Sequence, residues 1–466
     1  MILIGAFHDD ILLPIFDFHL REEHLRPGQP TRAWQSLVHV CRRWRSVVFG
    51  SPRRLDLRLF CTNYTRSRDM LDIWPALPLT INGDGYYSTR SVDNIVAALK
   101  CSVRVCQIDL VISKIMDLER FLAAMQQPFP ELTYLNFRST DETETVVVPD
   151  SFLNGFAPRL ERLQLYGIPF PGLPKLLLSA TRLVHLHLYA IPHSGYFSPD
   201  AMVAALSTLT SLENLTLEFK SPESCPDLEP RRLPPPTRTV LPVLTVFRFQ
   251  GVTEYLEDFV TDIDAPQLNK LETQLFNDIV FDTPQLIQLI SRTPVSSALE
   301  NAHIALDHDT AHVTFQSRIS GYTLKLSILC EGLDWQLSSL KQVCTSCLPF
   351  LSTLKDLYIH EHARSQPDWK DDIENSVWLD LLHPLTAVEN LYISEKVALH
   401  IGAALQELVE GRTTEVLPTL GNIFLEGLSS GPVQEGIRQF VAARQVSSHP
   451  VTISRWANSG EDKNYL

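Results

Sequence analysis

Glycine is scarce in this chain, with 19 glycines among 466 residues. Loops that cradle phosphate need closely spaced glycines, and the sequence contains no phosphate-binding, dinucleotide-binding or kinase signature. It also lacks the Gly-x-Ser-x-Gly motif that presents a nucleophilic serine. These absences predict a protein that is not an enzyme, has no catalytic residues and takes no cofactor.

Long hydrophobic runs are also missing. No apolar stretch reaches the roughly 18 residues that a membrane-spanning helix needs. The opening residues MILIGAFHDD have no basic region ahead of their apolar run, so they do not predict a secretory leader. We therefore expect an intracellular protein, cytoplasmic or nuclear or both, that does not bind membranes.

The eight cysteines are scattered along the chain, which predicts reduced thiols, mostly small core residues. Cys344-x-x-Cys347, followed by His360 and His362, suggests a zinc site, but a zinc finger separates its histidines by three to five residues. The sequence therefore predicts no metal. A Cys/His metal protein or a hydrolase is kept as an alternative.

Charge is unevenly distributed. The net charge is -14, yet residues 21–68 carry eleven arginines, no lysine and three acids. That excess of eight positive charges leaves -22 for the rest of the chain. A basic head on an acidic body indicates an acidic partner at the head and argues against nucleic acid binding by the body. Alternatively, the arginines only solvate one face of a helix.

Two helical patterns occur in the head. In DDILLPIFDFHL, apolar residues recur on one side, and Pro14 predicts a helix that starts at Leu13–Pro14. In WQSLVHVCRRWRSVVFGSP, apolar residues from Trp34 to Val48 recur every three or four positions in a single helix that ends at Gly50. Two short helices cannot form a stable core alone, so we expect their apolar faces to be covered by something else.

The head resembles an F-box, and its longer context resembles fungal F-box proteins of the mushroom lineage. The matching positions are Asp10, Leu12, Ile15, Phe16, Leu20, Leu37, Val40, Cys41, Arg42, Trp44 and Arg45. The sequence departs from the family at Phe7–His8, where a Leu-Pro pair is usual, and at Pro14.

The F-box resemblance implies that the head binds a Skp-type adaptor, which tethers the chain to a cullin–RING (SCF-type) ubiquitin ligase. The residues implied in adaptor binding are Leu12, Ile15, Phe16, Leu37, Val40, Cys41 and Trp44. On this interpretation, a second polypeptide covers the stripe from Trp34 to Val48. The alternative is that the head only closes the end of a repeat array.

Three segments of the body share the pattern Leu-x-x-Leu-x-Leu: PRLERLQLYGI, TRLVHLHLYAI and TSLENLTLEFK, with first leucines 23 and 29 residues apart. Looser copies are VCQIDL, ELTYLNF, VLTVFRF, TLKDLYI, AVENLYI and TLGNIFL. Such steps predict units of one strand and one helical return, stacked as an irregular leucine-rich-repeat solenoid with a parallel sheet on its concave face. The Asn or Cys that ties successive turns together in that family is missing from the corresponding slot.

The predicted organisation is an α/β protein with an F-box-like head (1–60), a connecting segment (61–100), a degenerate solenoid (101–430) and a C-terminal cap and tail (431–466). Residues 221–242 form a proline-rich surface insertion, because proline excludes helix and interior strand. The favoured function is substrate recognition for the ligase, and the alternative is a non-ligase interaction scaffold.

The candidate protein-binding positions are the variable residues of the predicted strands. They are Gln164, Tyr166, His185, His187, Tyr189, Thr216, Glu218, Arg248, Tyr358, His360 and Tyr392.

Overall fold

The computed structural model is an α/β protein with mostly parallel sheets, and its chain forms two compact units, Met1–Phe197 and Ser198–Leu466. The described residues are 7–24, 33–140, 146–225, 238–276, 283–293, 299–317, 321–330, 332–345, 351–362, 369, 374–409, 412–426 and 432–456. No helix among these residues is long and apolar enough to cross a membrane.

Unit 1 begins with three helices and continues as a parallel sheet whose strands pair in chain order. Its helices are α1 (Asp9–His24), α2 (Ala33–Val40), α3 (Arg42–Gly50), α4 (Ser67–Ile73), α5 (Thr89–Leu99), α6 (Ile115–Ala124) and α7 (Leu173–Leu177). Its strands are β1 (Leu59–Thr62), β2 (Leu79–Asp84), β3 (Val105–Ile112), β4 (Tyr134–Ser139), β5 (Arg162–Tyr166) and β6 (His185–Ile191).

Helix α1 begins earlier than its proline predicts. It starts at Asp9, and Pro14 lies inside it, so the expectation of a start at Leu13–Pro14 was wrong. A proline inside a helix removes one hydrogen bond and costs about 3 kcal/mol. Tertiary contacts offset that cost: Leu12 and Leu13 are buried, and the Asp9 carboxylate pairs with the Arg43 guanidinium at 2.8 Å.

The second helical pattern is broken at Cys41, so the single helix expected there was also wrong. Cys41 has extended backbone (φ -161°, ψ 169°), and its sulfur accepts a hydrogen bond from the Trp44 amide at 3.4 Å. It therefore caps the N-terminus of α3. The break rotates α3 relative to α2 and lets the Trp44 ring pack on Phe16, with centroids 4.7 Å apart.

The stripe from Trp34 to Val48 is covered mainly by its own chain. The Trp34 indole donates to the Arg58 carbonyl at 3.0 Å and meets the Trp74 ring edge-on at 5.0 Å. Val38 and Val48 are buried as well. The expectation that a second polypeptide covers this stripe was therefore wrong for these residues.

Unit 2 holds a second sheet segment in the order β7-β9-β11-β14-β13-β12-β15-β16-β17-β18, and a two-stranded pair, β8-β10. The strands are β7 (Asn214–Phe219), β8 (Thr239–Val240), β9 (Val246–Gly251), β10 (Ile263–Asp264), β11 (Lys270–Leu275), β12 (Asn301–Leu306), β13 (Thr310–Gln316), β14 (Thr323–Leu329), β15 (Asp356–Glu361), β16 (Asn390–Ile393), β17 (Asn422–Glu426) and β18 (Thr452–Trp456). The helices are α8 (Pro199–Leu206), α9 (Thr253–Thr261), α10 (Pro284–Arg292), α11 (Leu333–Thr345), α12 (Asn375–Leu382), α13 (Glu395–Gln406) and α14 (Pro432–Val446).

Every proposed copy of the leucine pattern carries a strand, and the repeated apolar positions of the pattern lie in the core. Leu163 pairs in register with Leu186, for example, and both are fully buried. Paired strands occur outside the predicted bounds of residues 101–430: β1 and β2 pair with each other, and β2 with β3, in unit 1, and β18 pairs with β17 in unit 2. Of the proline-rich segment 221–242, residues 226–237 lie outside the described part of the chain.

Strand β13 interrupts the repeat and runs antiparallel to both neighbours. A tight turn produces it: the Asp307 amide donates to the Thr310 carbonyl at 2.9 Å, and the Asp307 carboxylate accepts from the His308 amide. Such a turn reverses the chain after two residues and leaves no room for a helical return.

Candidate protein-binding surfaces

Helix α1 carries two apolar stripes. One stripe, which includes Leu12 and Phe16, is fully buried in the chain. The other is open to solvent, with Ile11, Ile15 and Phe18 exposed by 49%, 46% and 65%. Their spacing of four and three residues places them on one side of the helix. Exposed apolar residues grouped in this way are typical of an interaction surface.

The seven residues assigned to adaptor binding therefore have different positions. Leu12, Phe16 and Leu37 are buried within the chain, and Trp44 is half-buried. Ile15, Val40 and Cys41 are exposed, Val40 by 59%. Ile11 and Phe18 are exposed too, and the F-box pattern did not single them out.

In unit 1, the sheet face opposite the buried leucines is polar and aromatic. The register places Gln164 beside His187 and Tyr166 beside Tyr189. An open depression of about 680 Å³ lies on this face. Its lining consists of Asn136, Arg138, Ser139, Thr140, Gln164, Leu165, Tyr166 and Tyr189. The mixture of aromatic rings, amides and one arginine is typical of protein-binding surfaces.

In unit 2, a cluster of charged residues lies on neighbouring strands of the sheet. The Glu272 carboxylate pairs with the Arg248 guanidinium at 2.5 Å and with the Lys270 ammonium at 2.8 Å. Burial would raise the pKa of Glu272, but the hydrogen bonds from Lys270 and Arg248 outweigh it and hold the pKa below its usual value. Burial lowers the pKa of the Lys325 ammonium, and the attraction of the Glu272 carboxylate opposes that shift.

Glu218 belongs to the same cluster. Among the described residues, none donates a hydrogen bond to its carboxylate. Burial raises its pKa to about 7, against the attraction of the Arg248 guanidinium. A cavity of about 120 Å³ opens beside it. The cavity is lined by Glu218, Arg248, Phe249, Gln250, Glu272, Thr273, Gln274, Lys325 and Ser327.

Further along unit 2, aromatic rings stack across four strands. Tyr358 lies between His303, with ring centroids 4.3 Å apart, and Tyr392, at 4.2 Å. Phe424 continues the stack at 4.4 Å from Tyr392, and the Trp456 ring meets Tyr358 edge-on at 5.8 Å. Each of these rings is half-buried, so the edges of the stack reach solvent.

A row of polar side chains runs beside the stack. The Asn390 amide donates to the Asp356 carboxylate at 2.7 Å, and its oxygen accepts from Asn422 at 2.8 Å. The Thr452 hydroxyl donates to the Asn422 oxygen at 2.6 Å. The position at which leucine-rich repeats usually carry asparagine or cysteine holds other residues here, and this different row of hydrogen bonds links successive strands.

The candidate binding positions do not converge on one site. Within unit 2, Glu218 lies near Arg248, and Tyr358 stacks on Tyr392, but the strands β11, β14, β13 and β12 separate these two groups. Thr216 is fully buried, so its assignment to a binding face was wrong. His360 is half-buried on β15.

Several surface residues were missed by the sequence reasoning. These are Asn136, Arg138, Glu272, Gln274, Lys325, His303, Phe424 and Trp456. A signal for the aromatic stack was present in the sequence, because NAHI, DLYI, NLYI and NIFL place an aromatic ring at the third position of each strand. No comparable sequence pattern predicted the position of Lys325, because the strands around β13 do not follow the repeat spacing.

Three residues of the suggested zinc site, Cys344, His360 and His362, lie within the described part of the chain. Within the described residues, no three His, Cys, Asp or Glu side chains are grouped to hold a metal ion. Cys344 is buried, and that burial raises the pKa of its thiol to about 12. Cys347 lies outside the described residues.

Comparison with protein-family models gave no match, and a search of curated proteins also found none. The likeness to F-box and leucine-rich-repeat proteins thus depends on the residues quoted above.

Proposed function

We propose that this chain is the substrate-recognition subunit of a cullin–RING ubiquitin ligase. The F-box-like head would bind a Skp-type adaptor, and the open faces of the sheet would bind the protein to be modified. Ubiquitin transfer would be carried out by other subunits, and this chain would contribute proximity and orientation.

The observation that carries the proposal is the exposed stripe of Ile11, Ile15 and Phe18 on α1. A short helix that already buries one apolar stripe gains nothing for its own fold from a second one in water. Val40, exposed at the end of α2, adds to the apolar surface of the same head. An adaptor that covers these side chains would account for their apolar character.

In this arrangement, only some of the residues that match the F-box pattern would contact the adaptor. Leu12, Phe16 and Leu37 would support the head from inside, while Ile15, Val40 and Cys41 would meet the adaptor directly. The arginines of residues 21–68 would favour a partner with an acidic surface.

Co-purification with a Skp-type adaptor tests the proposal. The double variant Ile15→Asp/Phe18→Asp should abolish a complex that the wild-type chain forms at micromolar concentrations, with an unchanged thermal midpoint. Tyr86→Asp is the matched control, because Tyr86 is 82% exposed outside the head. Trp44→Asp is less informative, since Trp44 also packs on Phe16. Absence of a wild-type complex would contradict the proposal.

A second candidate function is a scaffold without a ligase, in which the head caps the sheet. The contact of Trp34 with Arg58 and Trp74 favours it, because it seals the head onto the following segment. The same co-purification separates the two, since a cap alone would bind no adaptor.

A further inference from the structure

We infer that the cavity beside Glu218 binds a cationic side chain, a lysine or an arginine, of the protein that the chain captures. The inference rests on the proposed role of the sheet in binding a protein and names the chemistry recognised at one point of it. The cavity of about 120 Å³ holds the volume of about four waters, which suits one side-chain head group.

The hydrogen-bonding groups of the cavity favour a donor as ligand. Within the described residues, burial and the charges of Arg248 and Glu272 act on the Glu218 carboxylate, and no hydrogen-bond donor does. An ionised carboxylate offers only acceptors. The Gln250 amide nitrogen already donates to the Phe219 carbonyl at 3.3 Å, which leaves its oxygen to accept. A ligand ammonium or guanidinium would supply the missing donors.

The neighbouring cations do not fill this role. Arg248 and Lys270 both pair with Glu272. Lys325 lies on β14, which is separated from β7 by β9 and β11, so its side chain starts roughly 14 Å from the Glu218 strand. The rest of the chain outside residues 21–68 carries -22, and this negative field would attract a basic segment.

Protonation of Glu218 gives the inference a pH signature. With a pKa of about 7, the carboxylate is mostly ionised at pH 8 and mostly protonated at pH 6. Arg248 favours ionisation of Glu218 and Glu272 opposes it. Lys325, on β14, is the other charged side chain among the residues that line the cavity. If only the ionised form binds a cation, affinity falls about tenfold between pH 8 and pH 6.

Saturation-transfer NMR on the full chain tests the inference. The probes are Nα-acetyl-lysine amide, Nα-acetyl-arginine amide and, as the uncharged control, Nα,Nε-diacetyl-lysine amide. We expect one or both cations to bind at pH 8, about tenfold more weakly at pH 6, and the diacetyl probe not to bind. Glu218→Gln should weaken cation binding at least tenfold, and Glu213→Gln, an exposed acid on the preceding loop, should leave it unchanged.

Equal binding of the diacetyl probe, or cation binding that Glu218→Gln does not weaken, would overturn the inference. The wild-type pH series keeps the test decisive if the variant folds poorly, because affinity that stays constant from pH 8 to pH 6 would also overturn it. The NMR assay contains no adaptor, so its outcome and that of the co-purification are independent. If no cation binds, the ligase proposal is unaffected. If no adaptor complex forms, a positive NMR result still supports the cation site.

Discussion

The guanidinium of Arg444 donates a hydrogen bond of 2.9 Å to the carbonyl of Leu417, a residue whose φ of 50° lies in the left-handed region. Arg444 is fully buried, and it also donates to the carbonyls of Thr413 and Leu420. Burial lowers its pKa. One side chain of α14 thus satisfies the carbonyl groups of the loop that precedes β17.

Arg444→Met should therefore destabilise unit 2 by about 3 kcal/mol, because several buried carbonyls lose their donor at once. A urea titration followed by tryptophan fluorescence measures this as a lower midpoint. Arg438→Met, at an exposed position of the same helix, is the control and should change the midpoint little. An unchanged midpoint for Arg444→Met would show that the loop finds other donors.

The strands of this fold were predictable and the helix boundaries of the head were not. Leu163 and Leu186 belong to a pattern that marks a strand in every copy with the repeat context, whereas the same leucine spacing at residues 173–178 lies on α7. The start of α1 before Pro14 and the break at Cys41 depend on contacts distant in sequence, such as Arg43 with Asp9 and Trp44 with Phe16. Local propensity cannot report such contacts.

The binding surfaces were predictable in the same uneven way. Alternation along a strand identified Tyr358 and Tyr392 as facing away from the core, and the register then stacks them. The strand order determines which charged residues line the same cavity, and this order departs from the chain order where β13 pairs between β14 and β12. The sequence alone therefore could not predict that Lys325 and Glu218 line one cavity.

The polar row predicts a pH-dependent effect of Asn390→Asp. The new carboxylate cannot donate a hydrogen bond to the buried Asp356 carboxylate at pH 7 and repels it. We therefore expect the free energy of unfolding to fall by about 2–3 kcal/mol. In acid, a proton shared by the two carboxyls restores the donor and recovers most of the lost stability. Thermal midpoints at pH 7 and pH 4 measure this change.

The matched control for this row is Asn375→Asp, because Asn375 donates to Glu407 at 2.6 Å on the exposed surface. Solvent screens that pair, so the free energy of unfolding should change by less than about 1 kcal/mol at either pH, and the thermal midpoint should shift little. Equal effects of the two substitutions would mean that burial of the row contributes nothing.

Glu218 should lower the stability of the free chain at alkaline pH. Its pKa is raised in the folded state, so the folded chain holds the proton more tightly than the unfolded chain, and stability falls as pH rises from about 4.5 to 7. Glu218→Gln should therefore stabilise unit 2 at pH 8 by roughly 1–2 kcal/mol and have little effect at pH 4. Urea midpoints for both proteins at these two pH values measure the difference, and a gain that is the same at both would contradict the raised pKa.

Thiol labelling should distinguish the head from the core. Cys41 is exposed, whereas burial raises the pKa of Cys61 to about 11 and that of Cys344 to about 12. Only thiolates react rapidly, so iodoacetamide at pH 8 should label Cys41 in the native chain and the two buried cysteines only after unfolding in urea. Peptide mass spectrometry reads the sites, and early labelling of Cys61 would contradict its burial.

The same reagent can report on the proposed adaptor interface. If the adaptor covers the exposed surface around Val40, the labelling rate of Cys41 should fall at least fivefold in the complex. Cys101, half-exposed outside the head, serves as the internal control and should keep its rate. A complex that forms while Cys41 stays fully reactive would place the adaptor elsewhere on the chain, because a thiol beneath an interface cannot meet the reagent.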